Sequence, residues 1–238
     1  MRSYFIWKGQ DSRDWGIALK GPAPIVRGKE RVTTAVIPGR AGSYHLTEGD
    51  GILDTYLQTL TARIPLSAID RGALSWLSGN GYITFSTMPD RQQHARLINQ
   101  VTLNRISYHL DWYEGTLAWE CQPYKELLHE PTQTLLSASN TLRSLGDVEE
   151  KPLITVAGSG DFALTVNGKV FTVTGITAEQ GGCVIDSDAC EVLTYDNTTL
   201  ITAQSAGEFP VLTPGSNTIS WTGASVTGVT ILRRQRWL

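Results

Sequence analysis

The hydrophobic pattern of the chain is typical of strands along most of its length, with one exception at residues 67–79. Ile69, Ala73, Trp76 and Leu77 fall at i, i+4, i+7 and i+8, which places them on one face of a 3.6-residue repeat. The spacing predicts a single helix. Because most other segments alternate like strands, this helix is expected to pack its apolar face against a sheet.

Residues that favour helix ends flank the same segment. Ser67 can act as the N-cap, with Asp70 three residues later near the positive end of the helix. Gly79 stands where a left-handed residue commonly ends a helix, and Asn80-Gly81 disfavours continuation. These signals place the helix between Ser67 and Gly79.

A second pattern predicts a β-hairpin near the middle of the chain. Apolar and polar residues alternate before and after Tyr113-Glu114-Gly115, which is interpreted as the turn. The apolar positions of the two arms are Ile106, Tyr108, Leu110, Trp112, Leu117, Trp119 and Cys121. The predicted core therefore comprises Ile69, Ala73, Trp76, Leu77, Trp112 and Trp119.

Residues 38–52 are rich in glycine and polar side chains. Glycines at 39, 42, 49 and 51 predict a long, bendable connection after the β-branched strand that ends at Ile37. A loop of this length in a compact domain is usually either disordered or used for contact. Part of it is therefore a candidate contact segment.

The second half of the chain is predicted to be an all-β domain. Short strands recur about every ten residues and are separated by Gly, Asn, Asp or Pro, a pattern typical of a sandwich. Asn167-Gly168 between two apolar runs is a strong hairpin signal. We place the domain boundary so that residues 1–128 form one domain and residues 129–238 the other.

Composition and charge exclude several classes of function. Hydrophobic residues make up 41% of the chain and charged residues 18%, as in ordinary globular proteins. The net charge is −3, and no long basic run suits nucleic-acid phosphates; Arg233, Arg234 and Arg236 are interpreted as a solvated strand end. No apolar run approaches the ~20 residues of a membrane helix, and no signal-peptide core is present. Synthesis in the cytoplasm without membrane insertion is expected.

Motifs for catalysis or metal binding are not found in the sequence. The four histidines lack metal-ligand spacing, and the three cysteines indicate buried thiols rather than disulfides or a zinc site. Asp186-Ser187-Asp188 lacks the remainder of a calcium loop and is interpreted as a turn. Glycosidase-like pairs remain open on sequence alone, namely Glu114 with Glu120 and Asp50 with Asp54. No enzymatic activity, catalytic residue, cofactor or metal is predicted.

Several stretches resemble, in order, the siphophage distal tail proteins, the "phage tail component" family. In the first half they are Trp7–Ile17, Val36–Ser43, Ala73–Gly79, Tyr82–Phe85 and Glu120–Tyr124. In the second half they are Pro152–Asp161, Val184–Ser187 and Gly207–Asn217, the last being the most specific. The resemblance spans nearly the whole chain.

This resemblance implies a mainly β fold with an N-terminal ring-forming domain and a C-terminal galectin-like β-sandwich. It further implies a virion protein at the tail tip of a siphovirus, forming a hexameric ring that is single or stacked. Such a ring joins the tail tube to the baseplate, and DNA passes through its lumen without specific binding. The implied partners are the tail tube protein, a tip protein linked to the tape measure, and receptor-binding or baseplate proteins.

The inter-subunit contact is expected in the glycine-rich segment after Ile37. The predicted contact residues are Pro38, Gly39, Arg40, Gly42, Ser43 and Tyr44. An alternative function is a carbohydrate-binding module on the host-facing side, which the sandwich and the seven tryptophans suggest. The galectin-like label does not itself imply sugar binding, because no histidine follows His129 and only two tryptophans, Trp221 and Trp237, lie in the second half.

Overall fold

The computed structural model describes residues 3–47, 52–107, 109–223 and 225–238. Over these residues the chain is mainly β, as predicted, and its contacts divide it between Leu128 and His129 into two compact units. The second unit runs from His129 to Trp237. Tyr108, one position of the predicted hairpin alternation, and residues 48–51 of the predicted connection lie outside the described residues.

The first unit is built from antiparallel strands and two short helices. Its main sheet has the order β2-β1-β7-β8-β10-β6-β3, with β9 paired to β10 and β11 paired to β8, while β4 and β5 form a separate pair. The described elements are β1 (Phe5–Trp7), β2 (Gln10–Asp11), β3 (Ala18–Leu19), β4 (Val32–Val36), β5 (Ser43–Thr47), β6 (Tyr56–Pro65), α1 (Leu66–Asp70), α2 (Ala73–Trp76), β7 (Asn80–Phe85), β8 (Arg91–Leu97), β9 (Leu103–Ser107), β10 (Leu110–Cys121) and β11 (Lys125–Leu127).

The predicted single helix is wrong in its continuity. It is divided into α1 and α2, because Gly72 adopts the left-handed conformation with φ +93°. A Cβ at Gly72 would meet no atom within 4 Å, so its backbone conformation, rather than crowding, favours glycine here. Pro65, not Ser67, is the N-cap residue of α1, and Asp70 lies at the C-terminal end of α1. Gly79 is left-handed, with φ +79°.

The apolar face of the helical segment packs against the core of the first unit. Ala73 and Leu77 are fully buried, and so is Trp119 on β10. Ile69 and Trp76 are partly buried and pack against the same cluster. The other buried members of that cluster are Phe5, Trp7, Ile17, Ala23, Tyr56, Leu60, Ala62, Ile64, Ala68, Ile83, Phe85, Ala95, Leu117 and Cys121.

Trp7 and Trp76 join the first strand to the helical segment by reciprocal hydrogen bonds. The Trp7 Nε1–H donates to the Trp76 carbonyl at 3.0 Å, and the Trp76 Nε1–H donates to the Trp7 carbonyl at 3.2 Å. The Trp76 ring also lies between two aromatic rings, with centroids 5.9 Å from Phe5 and 5.2 Å from Trp15. This arrangement satisfies two indole donors close to the core.

The predicted turn at Tyr113–Gly115 is also wrong. β10 runs without interruption from Leu110 to Cys121, and Trp112 to Cys121 pair with Pro65 to Tyr56 of β6. The chain instead reverses between Ser107 and Leu110, where β9 meets β10. Trp112, predicted to be core, is half-buried and lies outside the core cluster.

Gly115 lies in mid-strand because another segment approaches it closely. A Cβ at Gly115 would lie 2.6 Å from the Thr102 carbonyl oxygen and 2.7 Å from Leu103 Cδ2.

We expect Gly115→Ala to lower the free energy of unfolding by about 1–3 kcal/mol, because the Thr102 backbone would have to shift to make room for the methyl group. Urea denaturation measures this change. Gly228→Ala is the matched control, since a Cβ at Gly228 in a strand of the second unit meets nothing within 4 Å; equal losses for both variants would contradict the crowding argument.

The second unit is a two-sheet sandwich, as the spacing of its strands predicted. One sheet has the order β12-β21-β14-β17-β18 and the other β13-β20-β15-β16-β19. The described strands are β12 (Gln133–Leu135), β13 (Ser139–Ser144), β14 (Leu153–Gly158), β15 (Gly160–Val166), β16 (Lys169–Ile176), β17 (Gly182–Asp186), β18 (Glu191–Thr194), β19 (Ser205–Gly207), β20 (Gly215–Thr222), β21 (Val226–Leu232) and β22 (Arg236–Trp237).

The Asn167-Gly168 hairpin is confirmed. It joins β15 to β16, and both turn residues have positive φ, +49° and +83°. This combination is the one that a two-residue type I′ turn requires.

Candidate functional site: an exposed apolar hairpin

The chief candidate site is the hairpin of β4 and β5, named here the arm (residues 32–47). Val32 pairs with Thr47 and Val36 with Ser43, in an unbroken antiparallel register. Among the described residues, these two strands pair only with each other. A lone two-stranded hairpin is at best marginally stable in water, so the arm gains from packing against another surface.

The arm replaces much of the predicted loop at 38–52. Ser43–Thr47 is a strand, and the connection is reduced to a short tip between Val36 and Ser43. At that tip Gly39 and Gly42 are left-handed, with φ +81° and +85°, and the Arg40 N–H donates to the Ile37 carbonyl at 3.1 Å. The glycines therefore reverse the chain at one point instead of making a long flexible loop.

The two chain segments at the base of the arm are bonded to each other. The Arg31 N–H donates to the Ile52 carbonyl at 2.9 Å, and the Asp54 N–H donates to the Lys29 carbonyl at 2.8 Å. Arg31 Nε also lies 2.8 Å from Asp54 Oδ1. Just before the arm, a Cβ at Gly28 would lie 2.5 Å from the Asp54 carbonyl oxygen, so the two base segments touch closely.

Large apolar side chains on the arm face solvent. Val36 is 77% exposed, and about half of Tyr44 and of Leu46 is exposed, at 50% and 49%. Val32 and Ile37 are exposed as well. The register places Val32 and Val36 on one face of the hairpin and Tyr44 and Leu46 on the other, so both faces of the arm expose apolar side chains. Exposed apolar surface of this kind usually marks an interaction site.

The six predicted contact residues all lie on the arm and are all exposed. Pro38, Gly39, Arg40 and Gly42 form the tip, and Ser43 and Tyr44 begin β5. Sequence reasoning did not include Val32, Val36, Ile37 and Leu46 in this set. The signal that could have found them is the presence of apolar residues on both faces of a short strand next to a glycine-rich turn.

Charges of both signs occur on and beside the arm in equal number. In the sequence from 27 to 54, the cations are Arg27, Lys29, Arg31 and Arg40 and the anions are Glu30, Glu48, Asp50 and Asp54, with Arg31 paired to Asp54. On the arm itself, Arg40 is exposed at the tip. The arm therefore offers an apolar surface with a cationic tip.

The carboxylates that sequence analysis left open as glycosidase-like pairs have other contacts. Glu114 accepts hydrogen bonds from Lys20 and Arg63, at 3.2 and 3.0 Å, and these contacts hold its pKa below the usual range. Glu120 accepts a hydrogen bond from Thr55 at 3.0 Å. Asp54 is paired with Arg31, and Asp50 lies outside the described residues.

The described residues contain no group of three His, Cys, Asp or Glu side chains placed to hold a metal ion. Cys121 and Cys183 are buried as predicted, and burial raises the pKa of each thiol to about 12. Such thiols are poor nucleophiles at neutral pH. The prediction of a buried thiol is wrong for Cys190, which is exposed. Within the part of the chain described here, no helix is long and apolar enough to cross a membrane.

Arg233, Arg234 and Arg236, predicted to be a solvated strand end, are instead paired with acidic side chains. They lie on a segment named here the strap, residues 233–237. Arg234 donates to both oxygens of Asp186 at 2.6 and 2.8 Å, and Arg236 donates to Asp188 at 3.3 and 3.2 Å. Asp186 and Asp188, which sequence patterning compares with a calcium loop, therefore bind the arginines of the strap.

Asp186 makes the second unit sensitive to acid. The Arg234 guanidinium, with backbone N–H donors of Asp188 and Ala189, lowers the pKa of Asp186 to about 2. Because the folded-state pKa lies below the unfolded one, this stabilisation is present above about pH 4 and is lost as the pH falls towards 2. We expect Asp186→Asn to lower the free energy of unfolding by about 2 kcal/mol at pH 7 and to reduce the further loss between about pH 4 and pH 2. Urea denaturation from neutral to acid pH measures both effects. If the variant loses stability over that acid range as steeply as the unsubstituted chain, this role of Asp186 is wrong.

Comparison with known proteins supports the same fold. No protein-family model and no curated protein sequence matches the chain. Among solved structures, the chain is similar to the crystal structure of the SPP1 Dit protein (gp 19.1), described as a paradigm of the hub adsorption apparatus in phages infecting Gram-positive hosts. The TM-score is 0.73 at 17% sequence identity, and the match covers 100% of both chains. The chain therefore has the fold of a Dit protein along its whole length.

Proposed function

We propose that this chain is a structural subunit of a phage tail tip, where it forms the ring that joins the tail tube to the baseplate or receptor-binding apparatus. The arm carries the proposal: it is a lone hairpin whose two base segments are hydrogen-bonded to each other, with exposed Val36, Tyr44 and Leu46. The full-length similarity to a hub protein supports the same conclusion.

The arm suits a heterologous contact between copies. In such a contact, the arm of one copy packs against a different surface of the next copy, and a rotation that divides the circle closes the ring. We propose a homo-hexamer, single or stacked, with Pro38, Gly39, Arg40, Gly42, Ser43 and Tyr44 in the contact. The apolar side chains of β4 and β5 extend that contact.

The proposed setting is the virion. Neighbours of the ring would be the tail tube protein, a tip protein linked to the tape measure, and receptor-binding or baseplate proteins. DNA would pass through the lumen without specific binding, consistent with a net charge of −3 and the lack of a long basic run. Such a hub needs no catalytic step, and we expect the chain to have no enzymatic activity.

The alternative, carbohydrate binding by the second unit, finds less support in its tryptophans. Trp237 is buried and Trp221 is half-buried. Neither offers the freely exposed ring face on which a sugar stacks. A glycan array probed with the full chain tests this alternative, and we expect no specific signal.

Immunogold labelling of isolated phage tails that contain the chain tests its position. The proposal predicts label at one end of the tail, at the junction between tube and tip. Tails lacking tip fibres but retaining the tube end are the control and should keep the label. Label along the tube, or tails without label, would contradict the proposal.

A further inference from the structure

A fully buried carboxylate lies in the second unit, beneath the segment that precedes it in the chain. Glu150 is 0% exposed, and its backbone exchanges two hydrogen bonds with Leu212, at 2.9 and 3.0 Å. The Ser144 hydroxyl donates to Oε1 of Glu150, and the Gly146 backbone N–H also donates to this carboxyl group; both bonds favour its ionised form. Oε2 has no hydrogen-bond partner among the described residues. A buried acceptor of this kind is costly when charged and much less costly when protonated.

Two further charged groups face Glu150. Glu130 is 7% exposed, and Arg233 Nε lies 3.7 Å from its Oε1. The charge of Glu130 opposes ionisation of Glu150, whereas that of Arg233 favours it. Burial is the largest influence, and the pKa of Glu150 is raised above its usual value. The positive charge of Arg233 therefore acts on two carboxyl groups, those of Glu130 and Glu150.

The strap and the segment at 143–147, named here the cover, are bonded together around this site. Gln235 accepts from the Leu145 N–H at 3.3 Å and donates to Glu130 at 2.9 Å. The Trp237 Nε1–H donates to the Leu145 carbonyl at 3.1 Å. In addition, Arg233 donates to the Arg143 carbonyl at 2.7 Å, and the Asp147 N–H donates to the Arg236 carbonyl at 3.2 Å.

The cover leaves little free space next to the carboxyl group. A Cβ at Gly146 would lie 2.4 Å from the Arg236 carbonyl oxygen and 3.2 Å from Glu150 Oε1. Gly146 therefore lies between the strap and the carboxyl group. Because Glu150 is 0% exposed, hydration of its ionised carboxylate requires a covering segment to move, and the cover and the strap are two such segments.

We propose that Glu150 is a proton-dependent latch: its neutral carboxyl group keeps the strap closed on the cover, and its ionisation loosens both. The direction of the pH dependence follows from the difference between the folded-state and unfolded-state pKa of Glu150. A carboxyl group whose folded-state pKa is raised stabilises the closed state at low pH, and that stabilisation is lost as the pH rises through the folded-state pKa. The latch is a property of the second unit and is independent of ring formation.

Hydrogen–deuterium exchange of the full chain between about pH 5 and pH 9 tests the latch, after correction for the intrinsic exchange rate. We expect protection of the cover and strap amides to fall with pH, by up to about tenfold per pH unit for one proton. Glu150→Gln should keep that protection at all pH values. Glu149→Gln is the matched control, an exposed neighbour with the same chemical change, and should behave like the unsubstituted chain.

A second variant keeps the test decisive if Glu150→Gln folds poorly. The Ser144 hydroxyl favours the ionised form of Glu150, so Ser144→Ala should move the loss of protection to higher pH. Protection that does not change with pH in the unsubstituted chain would overturn the proposal. So would equal pH dependence in the unsubstituted chain and the Glu150→Gln variant.

Discussion

Replacing Trp76 with alanine is expected to lower the free energy of unfolding of the first unit by about 3–5 kcal/mol. The change removes the ring that lies between Phe5 and Trp15 and leaves a cavity beside the buried residues of α2. It also removes the Trp76 Nε1–H, so that the Trp7 carbonyl loses its indole donor, while the backbone carbonyl of residue 76 that accepts from Trp7 remains. Denaturant unfolding followed by far-ultraviolet circular dichroism measures the loss.

Two matched variants separate the contributions to this loss. Trp76→Phe keeps much of the aromatic packing but removes the indole donor, and we expect it to cost about 1–2 kcal/mol. Trp112→Ala removes a tryptophan of the same unit that lies outside the core cluster, and we expect a clearly smaller loss than for Trp76→Ala. If Trp112→Ala costs as much as Trp76→Ala, the role assigned to the Trp7–Trp76 pair is wrong.

Placing charges on the arm is expected to abolish assembly without unfolding the chain. Val36→Glu with Tyr44→Glu puts two carboxylates on exposed apolar positions, which cannot be buried against a neighbouring copy without a large desolvation cost. We expect each subunit contact to weaken by about 2 kcal/mol or more, enough to leave mainly monomer at micromolar concentration. Analytical ultracentrifugation measures the distribution of oligomers.

The control for this experiment lies on the second unit. Val170 is 51% exposed, similar to Tyr44, but is on β16 of the sandwich. Val170→Glu should leave assembly unchanged, which separates a specific effect of the arm from a general effect of added charge. Circular dichroism and the denaturation midpoint should stay the same in all variants. Assembly that survives the double substitution would show that the arm is not the subunit contact.

The sequence predicts the features that local chemistry determines. The Asn167-Gly168 turn is correct because both residues tolerate positive φ, and the sandwich follows from regularly spaced strands. The helical segment is located correctly, but its break is missed. Gly72 looks like an ordinary residue within an apolar repeat, and nothing in the repeat indicates its left-handed backbone, which separates two short helices that each bury an alanine, Ala68 and Ala73.

Features that depend on distant residues could not be predicted in this way. The sequence predicts a turn at Gly115, because nothing local indicates that the Thr102 carbonyl approaches it. The arginines of the strap looked solvated, because their acidic partners Asp186 and Asp188 lie 48 residues earlier. At the arm, glycines and polar residues concealed β5, whose pairing with β4 needs the register to be known. The six predicted contact residues are all exposed on the arm, and their part in a subunit contact stays a prediction.

Negative-stain electron microscopy of the purified, unsubstituted chain at high concentration tests the central claim most directly. The proposal predicts closed rings with sixfold symmetry and a central opening, which disappear in the Val36→Glu, Tyr44→Glu variant. A chain that remains strictly monomeric at high concentration, with no ring visible in isolated tails, would contradict it.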